Sequence, residues 1–403
     1  MSQDGSVSWS VRTLTAGDAE AARQLGFEAF GVPTSAPSAP ATVDQPGMTW
    51  FGAFRGPTLV ARLVDRVYDS CFGGAVVATA GIAGVTVAAE HRGQGVLTPL
   101  LAAGLAAAKE RGAIISTLFP TAPRIYRRFG YEVVAEYCTV EVPTRALADV
   151  VPGATDGILT RRAEAGDFDA IRAVYDAWAV QQNGPLTRRG VSFPTTAEDF
   201  LDSFTGVTVA VDATGAVHGF TSWNRGQGYG EDAVLEVSDL LASDAPSYRA
   251  LLHAVGSFSS VTAQTRIDTS GDDVIRTFLP SLQWRVVDSS PYMLKILDVP
   301  AALRARRYPF GFSARLAFVL AGDFTPENNG GYVLELTDGA TDCRPAEVVD
   351  RVFTPQGLAL LYAGAQSCAN LRTAGHLSGG DLVEDLAWDA LFGGRQRHIR
   401  DYF

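Results

Sequence analysis

Lysine is nearly absent. The 403-residue chain has two, Lys109 and Lys295, so almost all of its 33 basic residues are arginines, a bias that by itself carries no function. Cysteine is sparse as well. Cys71, Cys138, Cys343 and Cys368 lie at least 25 residues apart, which excludes a CxxC metal site and a disulfide framework and fits a reducing cytosol. No metal is implied. Long apolar runs are missing: the longest, such as LLAAGLAAA at 100–108, fall short of the roughly 18 residues a membrane-spanning helix needs. The opening MSQDGSVSWS has neither a basic nor an apolar region, so no signal peptide and a cytoplasmic location are expected. Positive charge is in deficit, 33 basic against 44 acidic residues, net −11. Such a surface repels phosphate backbones and attracts cationic small molecules, so no nucleic-acid partner is expected.

Apolar residues, at 47%, suffice for real cores, and at roughly 150 residues per domain the length predicts two or three. VRTLTAGDAEAARQL (11–25) reads as strand, cap and helix, with Thr15 or Asp18 as cap and Ala22, Leu25 and Ala29 on one face. Residues 33–47 are Pro- and Ser-rich and read as a loop, and 48–89 as strands. Residues 94–111 carry the apolar stripe Val96, Leu97, Leu100, Leu101, Leu105 and Ala108 of a helix. A buried strand (113–119), a short helix (122–129) and a long strand (131–142) follow.

The start of this pattern recurs. Ala16-Gly17-Asp18, Ala21 and Arg23 match Ala165-Gly166-Asp167, Ala170 and Arg172 at an offset of 149 residues. Strands at 205–240, a helix at 246–258, a strand at 260–268, a helix at 271–280 and a strand at 283–296 then repeat the first order of elements, which favours duplication. Beyond 297, strands followed by helices predict a separate α+β domain. The expected units are 1–150, 151–290 and 291–403.

The sharpest chemical signal is VTVAAEHRGQGVLTPLL at 85–101. A strand runs through Arg92-Gly93-Gln94-Gly95 into an apolar helix. Glycines let the backbone come close to an anion, and the first-turn N–H groups of a helix are unpaired and favoured by its dipole. The spacing fits neither a dinucleotide-binding GxGxxG nor a Walker loop. It resembles the R-x-x-G-x-G/A pyrophosphate loop of GCN5-related N-acetyltransferases, with Leu97 where those usually have Gly or Ala. Asn224-Arg225-Gly226-Gln227-Gly228 repeats RGQG, but a strand pattern follows it, so it reads as a hairpin turn. In the second copy, the segment at the cofactor-loop position is ASDAPSYR (242–249), with two aspartates and no glycine, a poor place for a pyrophosphate.

Over its whole length, including HRGQGVL, IYRRFGY, the degenerate second copy, Asp298-Val299-Pro300-Ala301-Ala302-Leu303 and the end on Phe403, the chain resembles the enhanced intracellular survival (Eis) N-acetyltransferases. The resemblance implies a mixed α/β and α+β molecule, two tandem acetyltransferase folds and a sterol-carrier-like C-terminal domain. It implies acetyl-CoA as co-substrate, held by Val85, Thr86, Val87, Arg92, Gly93, Gln94, Gly95, Val96, Leu97, Thr98, Thr121 and Ala122. Tyr126 would be the general acid, and the α-carboxylate of Phe403 the general base. Phe129 and Tyr131 read as packing residues. The acceptor would be an amine of a cationic substrate: an aminoglycoside, a lysine side chain or an arylalkylamine. Glu28, Asp69 and Asp401 are candidate substrate-facing acids. Gly84 stands where relatives carry an aromatic residue, which implies a wider or differently shaped pocket. A homohexamer built from trimers is also implied. The five histidines (His91, His218, His253, His376, His398) do not gather at the motif, so a carboxylate must take the amine proton. The alternative is a non-catalytic lipid or acyl-CoA binder that uses the last domain.

Overall fold

The computed structural model describes residues 9–31, 40–154, 156–270, 273–280, 283–337, 340–347 and 350–403. The expectations for residues 1–8, for 33–39 of the predicted loop and for 271–272 lie outside them.

The first stretch runs β1 (Ser10–Thr13), α1 (Ala19–Phe30), β2 (Met48–Arg55), β3 (Thr58–Phe72), β4 (Ala75–Val87), α2 (Leu97–Glu110), β5 (Ile115–Leu118), α3 (Pro123–Arg127), β6 (Glu132–Pro143) and α4 (Thr144–Ala148). The second runs β7 (Leu159–Arg162), α5 (Phe168–Ala179), α6 (Ala197–Asp202), β8 (Gly206–Val211), β9 (Val217–Arg225), β10 (Gly230–Ala242), α7 (Ala245–Gly256), β11 (Thr262–Thr269) and β12 (Arg285–Ile296). The last runs α8 (Val299–Ala305), β13 (Ala314–Leu320), β14 (Gly330–Thr337), β15 (Ala340–Pro345), β16 (Val352–Phe353), α9 (Pro355–Tyr362), α10 (Cys368–Thr373), β17 (Leu377–Ser378) and α11 (Leu382–Phe392).

The repeat is physical as well as textual. Arg12 forks onto Asp18 through two bonds of 2.7 and 2.9 Å, and Arg161 onto Asp167 through two of 2.7 and 2.8 Å. Each aspartate also accepts the backbone N–H of the residue three before it, Thr15 or Glu164, at 2.8 Å. One ion pair and one cap therefore start α1 and α5 alike. Along α1, Ala22 and Leu25 are buried as expected, but Ala29 is exposed because the last turn runs past the sheet.

Twelve strands form one sheet in the order β1-β2-β3-β4-β5-β12-β6-β11-β10-β9-β8-β7. The two acetyltransferase folds have traded final strands. β12 pairs antiparallel with β5 (Met293 opposite Leu118), β6 pairs antiparallel with β11 (Cys138 opposite Thr269), and the traded strands pair with each other at the centre. The expected boundary at 290/291 falls inside β12.

Residues 271–280 were expected to form a helix, but the described part holds only a single 3-10 turn, Val274–Thr277. Asp273 caps it through the Ile275 N–H (3.0 Å). Pro280 then pushes the residue before it out of helical conformation.

The last stretch is a five-stranded sheet with helices, packed on the first copy. Its core continues into the large sheet: Phe318, Phe353, Trp388 and Phe392 share one buried cluster with Phe72, Ile115, Tyr292 and Leu294. Among the described residues no helix is long and apolar enough to cross a membrane.

Candidate active site

The glycine loop stands where the pattern put it. β4 ends at Val87 and α2 starts at Leu97, with Arg92, Gly93, Gln94 and Gly95 all exposed between them. Gly93 and Gly95 have φ of +74° and +80°, the left-handed region that side chains with a Cβ avoid. A Cβ on either would meet nothing within 4 Å, so the space in front of the turn is clear. Arg92 is folded back, its Nε donating to the Val87 carbonyl (3.2 Å), and the Gln94 amide donates to the Glu90 carbonyl (2.7 Å). Among the described residues no side chain caps α2. Its stripe is buried at Val96, Leu100, Leu101, Leu105 and Ala108, whereas Leu97 is half-buried. A turn of free amides, clear of Cβ atoms and backed by a 14-residue helix, fits a diphosphate.

The strand feeding this loop has one edge free. β4 and β5 pair in parallel only as far as Gly81 and Thr117. On its other edge, the register of β4 against β3 slips between Ala83 and Thr86, and Gly84 sits there at φ +56°. That is a glycine-led bulge, which bends the strand away from β5. The Ala88 N–H donates to the Val60 carbonyl of β3 (2.9 Å). Amide directions alternate along a strand, so the N–H groups of Val87 and Val85 face the gap left by β5. The Thr86 side chain between them is buried.

Thr121 is exposed, and Ala122 directly precedes α3, which among the described residues has no side-chain cap. α3 carries Tyr126 inward, 7% exposed, into the cluster of Ile82, Leu100, Leu101 and Leu118, with Val85, Val87 and Leu97 at its margin. Burial pushes the Tyr126 hydroxyl up to about 12, so it stays protonated. Phe129 and Tyr131 are fully packed: Phe129 meets Phe324 edge-on at 4.8 Å, and the Tyr131 hydroxyl bonds Ser116 Oγ at 2.6 Å. His91 lies beside the loop with its ring edge-on to Trp9 at 5.7 Å.

The chain end is held in place. His398 Nε2 meets Asp273 at 3.2 Å, Arg400 bonds Asp273 (2.9 Å) and the Asp268 carbonyl (2.6 Å), and Asp401 takes Arg188 Nε at 2.8 Å. Phe403 then lies among Tyr68, Phe119 and Tyr292, at ring distances of 5.0, 5.4 and 6.4 Å. It sits directly over Gly81, where a Cβ would come within 3.0 Å of its ring, so the chain end lies where β4 and β5 part.

A cavity of about 440 Å3 opens beside Phe403, between β3, α5, the 186–194 loop and the tail. Of the three candidate acids only Asp401 lines it, and its carboxylate is committed to Arg188. Asp69 points to the opposite face of β3 from Tyr68 and is exposed, as is Glu28 on α1. Arg66 and Arg188 also line the cavity; neither stands out in the sequence, because no motif marks them.

Among the described residues the second copy has no open loop at the corresponding positions. Residues 226–229 are the turn between antiparallel β9 and β10. At the start of α7 the Asp244 carboxylate accepts the Ser247 N–H (2.8 Å), so an anion of the chain itself occupies the helix end.

Comparison with known proteins finds two domain families on the chain. The acetyltransferase (GNAT) domain family matches residues 10–134, and the sterol carrier protein domain family matches residues 299–400. An uncharacterized N-acetyltransferase of Streptomyces avermitilis is 30% identical over 320 residues, 76% of each chain. N-acetyltransferase Eis of Mycobacterium tuberculosis is 26% identical over 339 residues, 79% of each chain. The crystal structure of a GCN5-related N-acetyltransferase from Kribbella flavida superposes over 100% of both chains with a TM-score of 0.82 and 27% identity. The chain belongs to the N-acetyltransferases of the GCN5-related (GNAT) superfamily and is similar to Eis.

Proposed function

We propose that this enzyme transfers acetyl from acetyl-CoA directly to an amine within a ternary complex. The observation that carries the reading is the free edge of β4 leading into an exposed turn of two left-handed glycines. Residues 92–98 hold the pyrophosphate, and Thr121 and Ala122 border the thiol end. The thioester supplies the acetyl group. The Val85 and Val87 amides stabilise charge on its carbonyl oxygen. The amine nitrogen forms the new C–N bond as the C–S bond breaks. Tyr126 gives its proton to the departing sulfur, and the Phe403 α-carboxylate receives the proton leaving the nitrogen. Among aminoglycosides, lysine side chains and arylalkylamines, the aromatic wall of the cavity favours the last.

The units 1–150, 151–290 and 291–403, a homohexamer of trimers and a cytoplasmic location belong to the same proposal. Light scattering reads the assembly. The alternative of a lipid carrier has less support, because rings fill the last unit: Trp388 packs on Phe318 and Phe353 at 5.4 Å each and on Phe392 at 5.7 Å.

The test pairs two glycines. Gly95→Asp puts a carboxylate where the diphosphate lies and abolishes acetyl-CoA binding by calorimetry, while Gly226→Asp in the hairpin leaves binding intact. Equal loss from both folded variants overturns the cofactor site. Absence of CoA thiol release with every amine of a broad panel overturns the activity.

A further inference from the structure

The cavity beside Phe403 carries arginines that its carboxylates do not pair. Its carboxylates are mostly engaged. Asp239 and Asp401 each take Arg188 at 2.8 Å, Asp176 pairs with Arg189, and Asp268 accepts the Thr139 hydroxyl at 2.9 Å. Among the described residues, two of its arginines, Arg66 and Arg172, form no ion pair. Arg172 lies over the Phe168 ring at 5.1 Å and, among the described residues, forms no ion pair. Arg66 is placed closer to the chain end. It stands two residues before Tyr68 on the same face of β3, and the Tyr68 ring packs tilted on Phe403 at 5.0 Å. Among the described residues the one side-chain partner of its guanidinium is the neutral Tyr68 hydroxyl, at 3.3 Å, and its Nε is buried with no partner. Among the described residues no carboxylate pairs with it. The rest of the wall is aromatic, with Phe193, Phe200, Phe204 and Phe220 beside Tyr68 and Phe403.

A buried guanidinium nitrogen without an acceptor is costly, and a ligand carboxylate would satisfy it. A second ammonium in the same space would meet Arg66 and Arg172 at close range in a medium of low dielectric. We infer that the acceptor is an arylalkylamine bearing a carboxylate, with its ring on the phenylalanine wall, its carboxylate on Arg66 and its amine toward the chain end at Phe403. This rests on the proposed acetyltransfer only for the fate of the amine; recognition of the anion by Arg66 stands apart from catalysis.

The experiment reads both separately. Calorimetry on the full-length protein with CoA bound compares N-acetylphenylalanine with N-acetylphenethylamine, which differ by one carboxylate. Wild type is expected to bind the first about tenfold or more tightly, the worth of a charge-assisted hydrogen bond. Arg66→Met brings the ratio to about one, and Arg66→Lys keeps part of it. CoA release with phenylalanine, phenethylamine and kanamycin as acceptors is expected to rank them in that order by kcat/KM. A preference that survives in folded Arg66→Met, or kanamycin as the best acceptor, overturns the inference. The expected binding ratios without turnover of any amine would uphold the anion site and overturn the proposed activity instead.

Discussion

Tyr126 is buried enough to keep its proton until about 12. An ordinary tyrosine is half ionised at about pH 10 and would by then have lost half its capacity as an acid. Raising the value extends the protonated range upward, so kcat measured from pH 7 to 10 should show no falling alkaline limb. A drop by half at pH 10 with the fold intact would remove Tyr126 from the proton transfer. Tyr126→Phe keeps the packing against Tyr131, at 6.2 Å between rings, and removes only the hydroxyl. Turnover should fall about a hundredfold with acetyl-CoA affinity nearly unchanged. Residues of this kind are legible in a sequence, because the glycine turn and the tyrosine sit in short, ordered motifs. Arg66 is not. Its significance is the absence of a partner, which depends on where four aspartates from distant segments point. The net charge of −11 describes the surface as a whole and says little about a cavity whose acids are mostly engaged.

The helices and strands of the first copy follow from apolar periodicity, and α2 shows it best. The six-residue helices α6 and α10 are too short for a 3.6-residue period to register. The tail is illegible for another reason. A terminal tetrapeptide normally frays, and this one is ordered by single long-range ion pairs. Arg188 holds it from a loop, at a strained φ of +51°, between Asp239 and Asp401 and over the Tyr175 ring at 4.3 Å. Arg188→Met strips the buried Asp239 and the half-buried Asp401 of their counter-charge, a loss of about 3 kcal/mol or more. The tail should then leave Tyr68, and kcat should fall at least tenfold while the loop of residues 92–98 still binds acetyl-CoA. A thermal midpoint that drops while kcat holds would make Arg188 a purely structural residue.

At the scale of the molecule, sequence order conceals the main feature. The repeat at offset 149 suggests two complete folds in a row, and local patterns cannot show that the final strands are traded. β6 and β12 are both twelve residues long and both carry an apolar stretch, so length and apolar content alone do not decide which lies beside β5. The choice depends on nonlocal pairing: Met293 to Ile296 along β5, and Cys138 to Pro143 along β11. The proposed active site depends on that exchange. β12 supplies Tyr292, which packs beneath Phe119 at 5.0 Å and so under the seat of Phe403. It also buries Lys295, whose Nζ bonds Asp323 at 2.5 Å, tying the last unit to the centre of the sheet. A fragment of residues 1–150 keeps the glycine loop and Tyr126 but leaves β5 and β6 with open, apolar edges. It should be aggregation-prone and bind acetyl-CoA at least tenfold more weakly than the whole chain, whereas the whole chain should melt in one calorimetric transition. A soluble 1–150 fragment with full-length affinity would show that the first fold closes without the strand it borrows.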